Sequence, residues 1–145
     1  MFGNDRDQLR RFFFSVWNKT RSHQALEPLE QQISSVLQQH PEYHRLLEQD
    51  PDTEAGRDYL PEHGQTNPYL HLGLHIALQE QLATHRPAAI AGLYQDLLAL
   101  SGGDSHATEH WMMECLAEML WQAQRHGLPP DQHAYLDCLN KLTGR

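Results

Sequence analysis

The segment NPYLHLGLHIALQEQLAT, residues 67–84, predicts a long helix that carries two histidines on one face. Asn67 is a favourable N-cap residue, and Pro68 suits the first helical turn. His71 and His75 are four residues apart. On a helix both imidazoles therefore lie on the same side and can reach a single point.

A stripe of leucines indicates that this histidine face points inward. Leu78 and Leu82 follow His71 at helical spacing, and Leu74 borders the same stripe. Imidazole is a common ligand of transition metals in proteins. The segment therefore predicts half of a buried metal site.

A second predicted helix, residues 105–126, repeats this pattern with His106 and His110. Glu114 lies roughly 40° from His110 around the helix axis, at about 100° per residue, so its carboxylate can join the two imidazoles at one ion. The two helices together predict a His/Glu metal site between residues 67–84 and 105–126.

A third pair with the same spacing, His40 and His44, brackets Pro41. Proline breaks or kinks a helix here, because it lacks the backbone N–H and restricts the residue before it. We expect His44 to face inward and His40 to act as a cap. The predicted metal ligands are then His71, His75, His106, His110, Glu114 and His44. This ligand set favours Zn or Fe, with Ni or Mn as further possibilities.

The residues 106–110 also match the H-x-x-E-H pattern of inverted zinc peptidases. Glu109 projects about 100° away from His110 on a helix, and the chain is short for a peptidase with a substrate cleft. We therefore leave Glu109 outside the predicted site.

The helical spacing of apolar residues along the chain predicts an all-α fold, a single-domain bundle of five or six helices over residues 1–145. One long irregular loop is expected at about residues 50–66, which contain two prolines and two glycines. Long irregular connections often carry function, so this loop is a candidate lid over the histidines.

The formal net charge of −8 argues against nucleic acid or an anionic membrane as the main partner. No apolar segment approaches the length of a membrane span, and the start lacks a signal-peptide pattern. We therefore expect a cytoplasmic protein. Cys115 and Cys138 are far apart in sequence and fit unpaired, buried cysteines better than a disulfide framework.

Three segments carry a resemblance to a known family: HPEYH at 40–44, LPEHGQTNPYLHLGLHIALQEQ at 60–81 and EHWMMECLAEMLWQAQR at 109–125. With these motifs the chain resembles a family of small bacterial proteins known only as DUF1841. The resemblance covers nearly the whole chain and implies a cytoplasmic helical protein without an assigned activity. His44, His71, His75, His110 and Glu114 lie within its motifs.

Two classes of function remain open from the sequence. The first is a metal-binding protein, with the ion serving a hydrolytic or redox enzyme, a carrier or a sensor. The second is a non-catalytic interaction module with buried structural histidines, dimeric through its aromatic first helix or the Trp-rich helix 105–126. The pattern identifies no small-molecule substrate.

Overall fold

The computed structural model describes residues 6–55 and 67–144, and every regular element within these ranges is helical. The α-helices are α1 (Arg6–Arg21), α2 (Pro28–Gln38), α3 (His44–Leu47), α4 (Pro51–Ala55), α5 (Pro68–Thr84), α6 (Ile90–Leu100), α7 (Ser105–His126) and α8 (Gln132–Leu142), with a 3₁₀ turn at Pro41–Tyr43. The all-α prediction is thereby confirmed.

Two details of the predicted fold are corrected. The described residues form eight α-helices instead of five or six, because Pro41 and Pro51 start separate short helical segments. The predicted irregular loop at 50–66 is helical over Pro51–Ala55. Its remainder, 56–66, lies outside the described residues.

The chain divides into two compact units, residues 1–72 and 73–145, with the boundary inside α5. The prediction of a single domain stays a prediction. Each unit is described by itself.

In the first unit, α1 packs on α2, α3 and α4 around an aromatic and aliphatic core. The buried apolar residues are Phe13, Phe14, Val16, Trp17, Ile33, Val36, Leu37, Leu47, Tyr69 and Leu72. Three buried side chains, those of Arg10, Glu54 and Tyr69, form a polar network beside this core. Arg10 lies 4.4 Å from the ring centre of Tyr69 and donates to the carbonyl of Glu54, whose carboxylate accepts from the Tyr69 hydroxyl at 2.8 Å. Such contacts satisfy groups that burial would otherwise destabilise.

In the second unit, α7 packs on α8 and α6 around a continuous apolar core. Its buried members are Leu74, Leu78, Ile90, Leu93, Leu97, Met112, Met113, Cys115, Leu116, Met119, Tyr135 and Leu139. Cys115 and Cys138 form a disulfide between α7 and α8, with their Cα atoms 5.8 Å apart. The prediction of unpaired cysteines is wrong. Their distance in sequence conceals that the turn at 127–131 folds α8 back along α7.

Local capping residues determine where several helices begin and end. Asp104 and Asp131 each accept a hydrogen bond from the backbone N–H three residues later, at the starts of α7 and α8. Gly127 ends α7 in the left-handed conformation at φ 63°. Among the described helices, none combines the length and apolar character needed to cross a membrane.

Candidate metal centre

Helix α5 carries the two histidines around which the candidate site is built. The Asn67 side chain accepts from the backbone N–H groups of Tyr69 and Leu70, which starts the helix as the sequence predicts. His71 and His75 follow one turn apart on this helix. His71 lies in the first unit and His75 in the second.

In the first unit, the Nε2 atoms of His40 and His71 are 3.0 Å apart. His40 is only 1% exposed and sits between the end of α2 and the 3₁₀ turn. The ring of Tyr43 lies close to both imidazoles, with centroids 5.5 Å from His40 and 5.9 Å from His71. Two imidazole nitrogens therefore face each other beside an aromatic wall.

The backbone of α2 orients the His40 ring. Nδ1 of His40 lies 2.8 Å from the carbonyl oxygen of Val36. A carbonyl only accepts, so Nδ1 donates, and a neutral His40 ring keeps its lone pair on Nε2. Metal-bound histidines commonly use one nitrogen for the ion and donate from the other in this way.

The spacing of the two Nε2 atoms suits a shared ion. Two nitrogens about 2.1 Å from a metal lie roughly 3.4 Å apart in a tetrahedral site and roughly 3.0 Å apart at a right angle. The observed separation of His40 and His71 is 3.0 Å. The same distance also fits a hydrogen bond between one protonated and one unprotonated nitrogen.

In the second unit, His75 is fully buried and its Nδ1 lies 3.2 Å from Oε1 of Glu109. The same carboxylate oxygen accepts a hydrogen bond from the Gln79 side chain at 3.0 Å. An ionised carboxylate only accepts, so His75 donates from Nδ1, and a neutral ring directs its Nε2 lone pair away from Glu109. Both α5 and α7 thus hold the His75 ring in one orientation.

Two further imidazoles from α7 lie against His75. The ring centroid of His110 is 4.8 Å from that of His75, and the centroid of His106 is 5.1 Å from it. The His106 ring is nearly parallel to His75, with 9° between the planes, whereas His110 is tilted by 55°. Parallel stacked rings direct their in-plane nitrogens side by side, so His110 is the better placed of the two to share an ion with His75.

Two tyrosines have raised pKa values, chiefly because they are buried. Burial, and to a smaller extent the charge of Glu42, raises the pKa of Tyr43. Burial and then the charge of Glu109 raise the pKa of Tyr94. Both phenols therefore stay neutral at physiological pH.

The structure places two predicted ligands differently from the others. His44 donates from Nε2 to the carbonyl of Leu37 at 2.7 Å and lies against Trp17, with ring centroids 4.2 Å apart. Glu114 is exposed on α7. Their roles as ligands stay predictions.

Two residues that the sequence analysis left aside are buried among the histidines. His40, which we expected to cap, is more buried than His44, and its ring makes no capping hydrogen bond. Glu109, which we excluded, is buried and bonded to His75. The H-x-x-E-H pattern was a usable signal for Glu109, and the four-residue spacing of His40 and His44 was one for His40.

These contacts define a helical protein with a histidine cluster that could hold a metal ion. The family model described as "Domain of unknown function (DUF1841)" matches residues 5–141, so the chain belongs to this family. No curated protein and no solved structure matches the chain.

Proposed function

We propose that this protein binds one transition-metal ion through His71 and His75 of α5, with His40 and His110 as the other two ligands. The observation that carries the proposal is the 3.0 Å separation of Nε2 in His40 and Nε2 in His71, with His40 already donating from its other nitrogen. Helix geometry places His75 one turn beyond His71 on the same side of α5.

The partners of the histidines support metal binding over simple packing. Val36 supplies a carbonyl acceptor to His40, and Glu109 supplies a carboxylate acceptor to His75. In both rings Nδ1 is the donor, which is the arrangement that metal-bound histidines commonly use.

The chemistry of the ligand set favours Zn or Fe. Imidazole suits Zn, Fe, Cu and Ni, whereas Mn prefers carboxylates. The carboxylate of Glu109 bonds to His75, and Glu114 is exposed, so the proposed ligands are imidazoles. The ion would supply Lewis-acid or redox chemistry at any position that the histidines leave open.

Metal analysis of protein purified without a polyhistidine tag tests the proposal. We expect about one Zn or Fe per chain, because the four histidines form one cluster. We further expect His40→Ala and His110→Ala, one change in each unit, each to remove nearly all of the metal. His133→Ala removes an exposed histidine of α8 and is the matched control.

Three results would contradict the proposal. The first is wild-type protein that binds neither Zn nor Fe after aerobic or anaerobic purification. The second is a loss of only half of the metal in each variant, which means two separate sites. The third is an equal loss in the His133→Ala control.

Exposed apolar side chains on α7 favour a second candidate function, that of a dimeric interaction module. Trp121 is 49% exposed, and Arg125 covers one side of its ring at 5.0 Å. Trp and Arg are enriched at the centres of protein interfaces. Light scattering of wild type and Trp121→Ala tests this. A dimer that becomes a monomer supports the module, and a monomeric wild type contradicts it.

A further inference from the structure

A cavity of about 450 Å³ lies between α7 and α8 in the second unit, and both cysteines of the disulfide line it. Met119 and Tyr135 form part of its apolar wall, and Leu128 lines it from the turn between the helices. Leu128 is 65% exposed, so the cavity opens to solvent beside this turn. A small molecule can therefore approach the disulfide without unfolding of the helices.

The two cysteines differ in accessibility. Cys115 on α7 is 2% exposed, whereas Cys138 on α8 is partly exposed. Disulfide exchange begins when a thiolate attacks one sulfur atom, and its rate depends on access to that sulfur. Because Cys138 is the more accessible residue, we expect an incoming thiolate to attack its sulfur.

We propose that Cys115–Cys138 is a redox-active disulfide that exchanges with small thiols entering this cavity. A thiolate RS⁻ forms a bond to the sulfur of Cys138, the Cys115–Cys138 bond breaks, and Cys115 leaves with the electron pair as a thiolate. A second RS⁻ attacks the sulfur of R in the mixed disulfide, which releases Cys138 as a thiolate and forms RSSR. The protein disulfide gains two electrons and the two small thiols lose them, and RSSR reverses both steps.

Two carboxylates on the cavity wall, Glu118 and Asp131, favour positively charged thiols over negatively charged ones. Glu118 accepts a hydrogen bond from the Gln122 side chain at 2.9 Å, and Asp131 accepts one from the backbone N–H of Ala134 at 3.1 Å. Both carboxylates line the cavity, together with the side chain of His126. Negative potential concentrates cations and repels anions. The site therefore favours a thiol with an ammonium group over one with a carboxylate.

The contacts of α8 allow exchange in the folded chain. Tyr135 and Leu139 are buried in the core of the unit, and the Tyr135 hydroxyl donates to the Gln81 side chain at 2.7 Å. These contacts hold α8 independently of the disulfide. Reduction is therefore expected to leave the helix content unchanged.

Reaction of the full-length protein with cysteamine and with 3-mercaptopropionate tests the proposal. Each rate is divided by that of the same thiol with a free small disulfide, which removes the intrinsic difference in reactivity between the thiols. We expect the mixed disulfide on Cys138 and a preference for cysteamine of at least about threefold at low salt. Acid quenching and peptide mass mapping identify the modified cysteine.

Removing the charges of Glu118 and Asp131 tests whether they cause the preference for cysteamine. The double variant Glu118→Gln, Asp131→Asn is expected to bring the ratio of normalised rates close to one, and asparagine retains the helix cap. Glu80→Gln, an exposed carboxylate of α5 outside the cavity lining, is expected to leave the ratio unchanged.

Several outcomes would overturn the proposal. One is a mixed disulfide on Cys115, and another is an unchanged thiol preference in the double variant. A third is reduction that occurs only at the rate of global unfolding, measured by circular dichroism in parallel. Because wild-type protein supplies the first and third readouts, the test does not depend on the stability of any variant.

Discussion

The Glu109 carboxylate orients the His75 imidazole: Oε1 of Glu109 lies 3.2 Å from Nδ1 of His75, and both residues are buried. Gln79 donates to the same oxygen at 3.0 Å, which holds the carboxylate in place. A carboxylate in this position selects the tautomer that carries its proton on Nδ1, as metal-bound histidines commonly do.

Glu109→Gln is accordingly expected to weaken Zn binding by about 10- to 100-fold, because the amide no longer supplies a charged acceptor to His75. Competition with a chromogenic chelator measures the affinity. Glu114→Gln, a change of the exposed glutamate on the same helix, is the control and is expected to leave the affinity unchanged. Equal effects of the two substitutions would contradict an orienting role for Glu109.

The pair Lys19 and Glu30 is expected to make stability depend on pH. The hydrogen bond from Lys19 at 2.8 Å, followed by the backbone N–H of Glu27, lowers the pKa of Glu30 below its ordinary value of 4.5. A lowered folded-state pKa stabilises the fold above the unfolded value, and this contribution is lost as the pH falls through the folded value.

Urea unfolding of wild type and Glu30→Gln at several pH values measures this dependence. The wild type is expected to be the more stable above about pH 5, and the difference is expected to shrink steadily below pH 4.5. Glu42→Gln, an exposed glutamate of the 3₁₀ turn, is the comparison. A Glu30 difference that does not change with pH would contradict the Lys19 contact.

Replacing Gly127 and Gly92 with alanine is expected to change the stability of the protein in opposite directions. Gly127 ends α7 at φ 63°, and Gly92 lies in α6. Apart from the adjoining backbone, no atom of the described residues lies within 4 Å of a Cβ added at either position. A clash with neighbouring side chains therefore does not contribute to the difference between the two variants. Gly127→Ala is expected to destabilise the protein by about 1 kcal/mol, because a side chain disfavours the left-handed conformation.

Gly92→Ala is expected to stabilise the protein by about 0.5–1 kcal/mol, because alanine favours a helix interior and restricts the unfolded chain. Thermal unfolding of the two variants measures both changes. If both variants changed stability in the same direction, the left-handed conformation at Gly127 would not be the reason for a glycine there.

Leu139 is expected to be a main anchor of α8. It is fully buried in the core of the second unit. Leu139→Ala is therefore expected to lower the free energy of unfolding by about 2–5 kcal/mol. Leu142, at 39% exposed on the same helix, provides the control, and its change to alanine is expected to cost less than about 1 kcal/mol. Denaturant unfolding measures both values, and similar losses would contradict the assigned packing of α8.

Local sequence specifies most of the helical segments and the shared face of His71 and His75. These features depend on interactions between residues a few positions apart. Asn67, Asp104 and Asp131 cap the helices that follow them, and Gly127 ends α7. A period of 3.6 residues places histidines four apart together on any helix.

Which residues surround those histidines depends on contacts between distant parts of the chain. His40 reaches His71 across 31 residues, Glu109 reaches His75 across 34, and Cys138 reaches Cys115 across 23. Each contact joins two different helical segments. Helical period specifies the face on which a side chain lies, but the segment packed against that face depends on turns and on the burial of apolar surface throughout the unit. For that reason local spacing selected the exposed Glu114, whereas packing brought the buried Glu109 to the histidine.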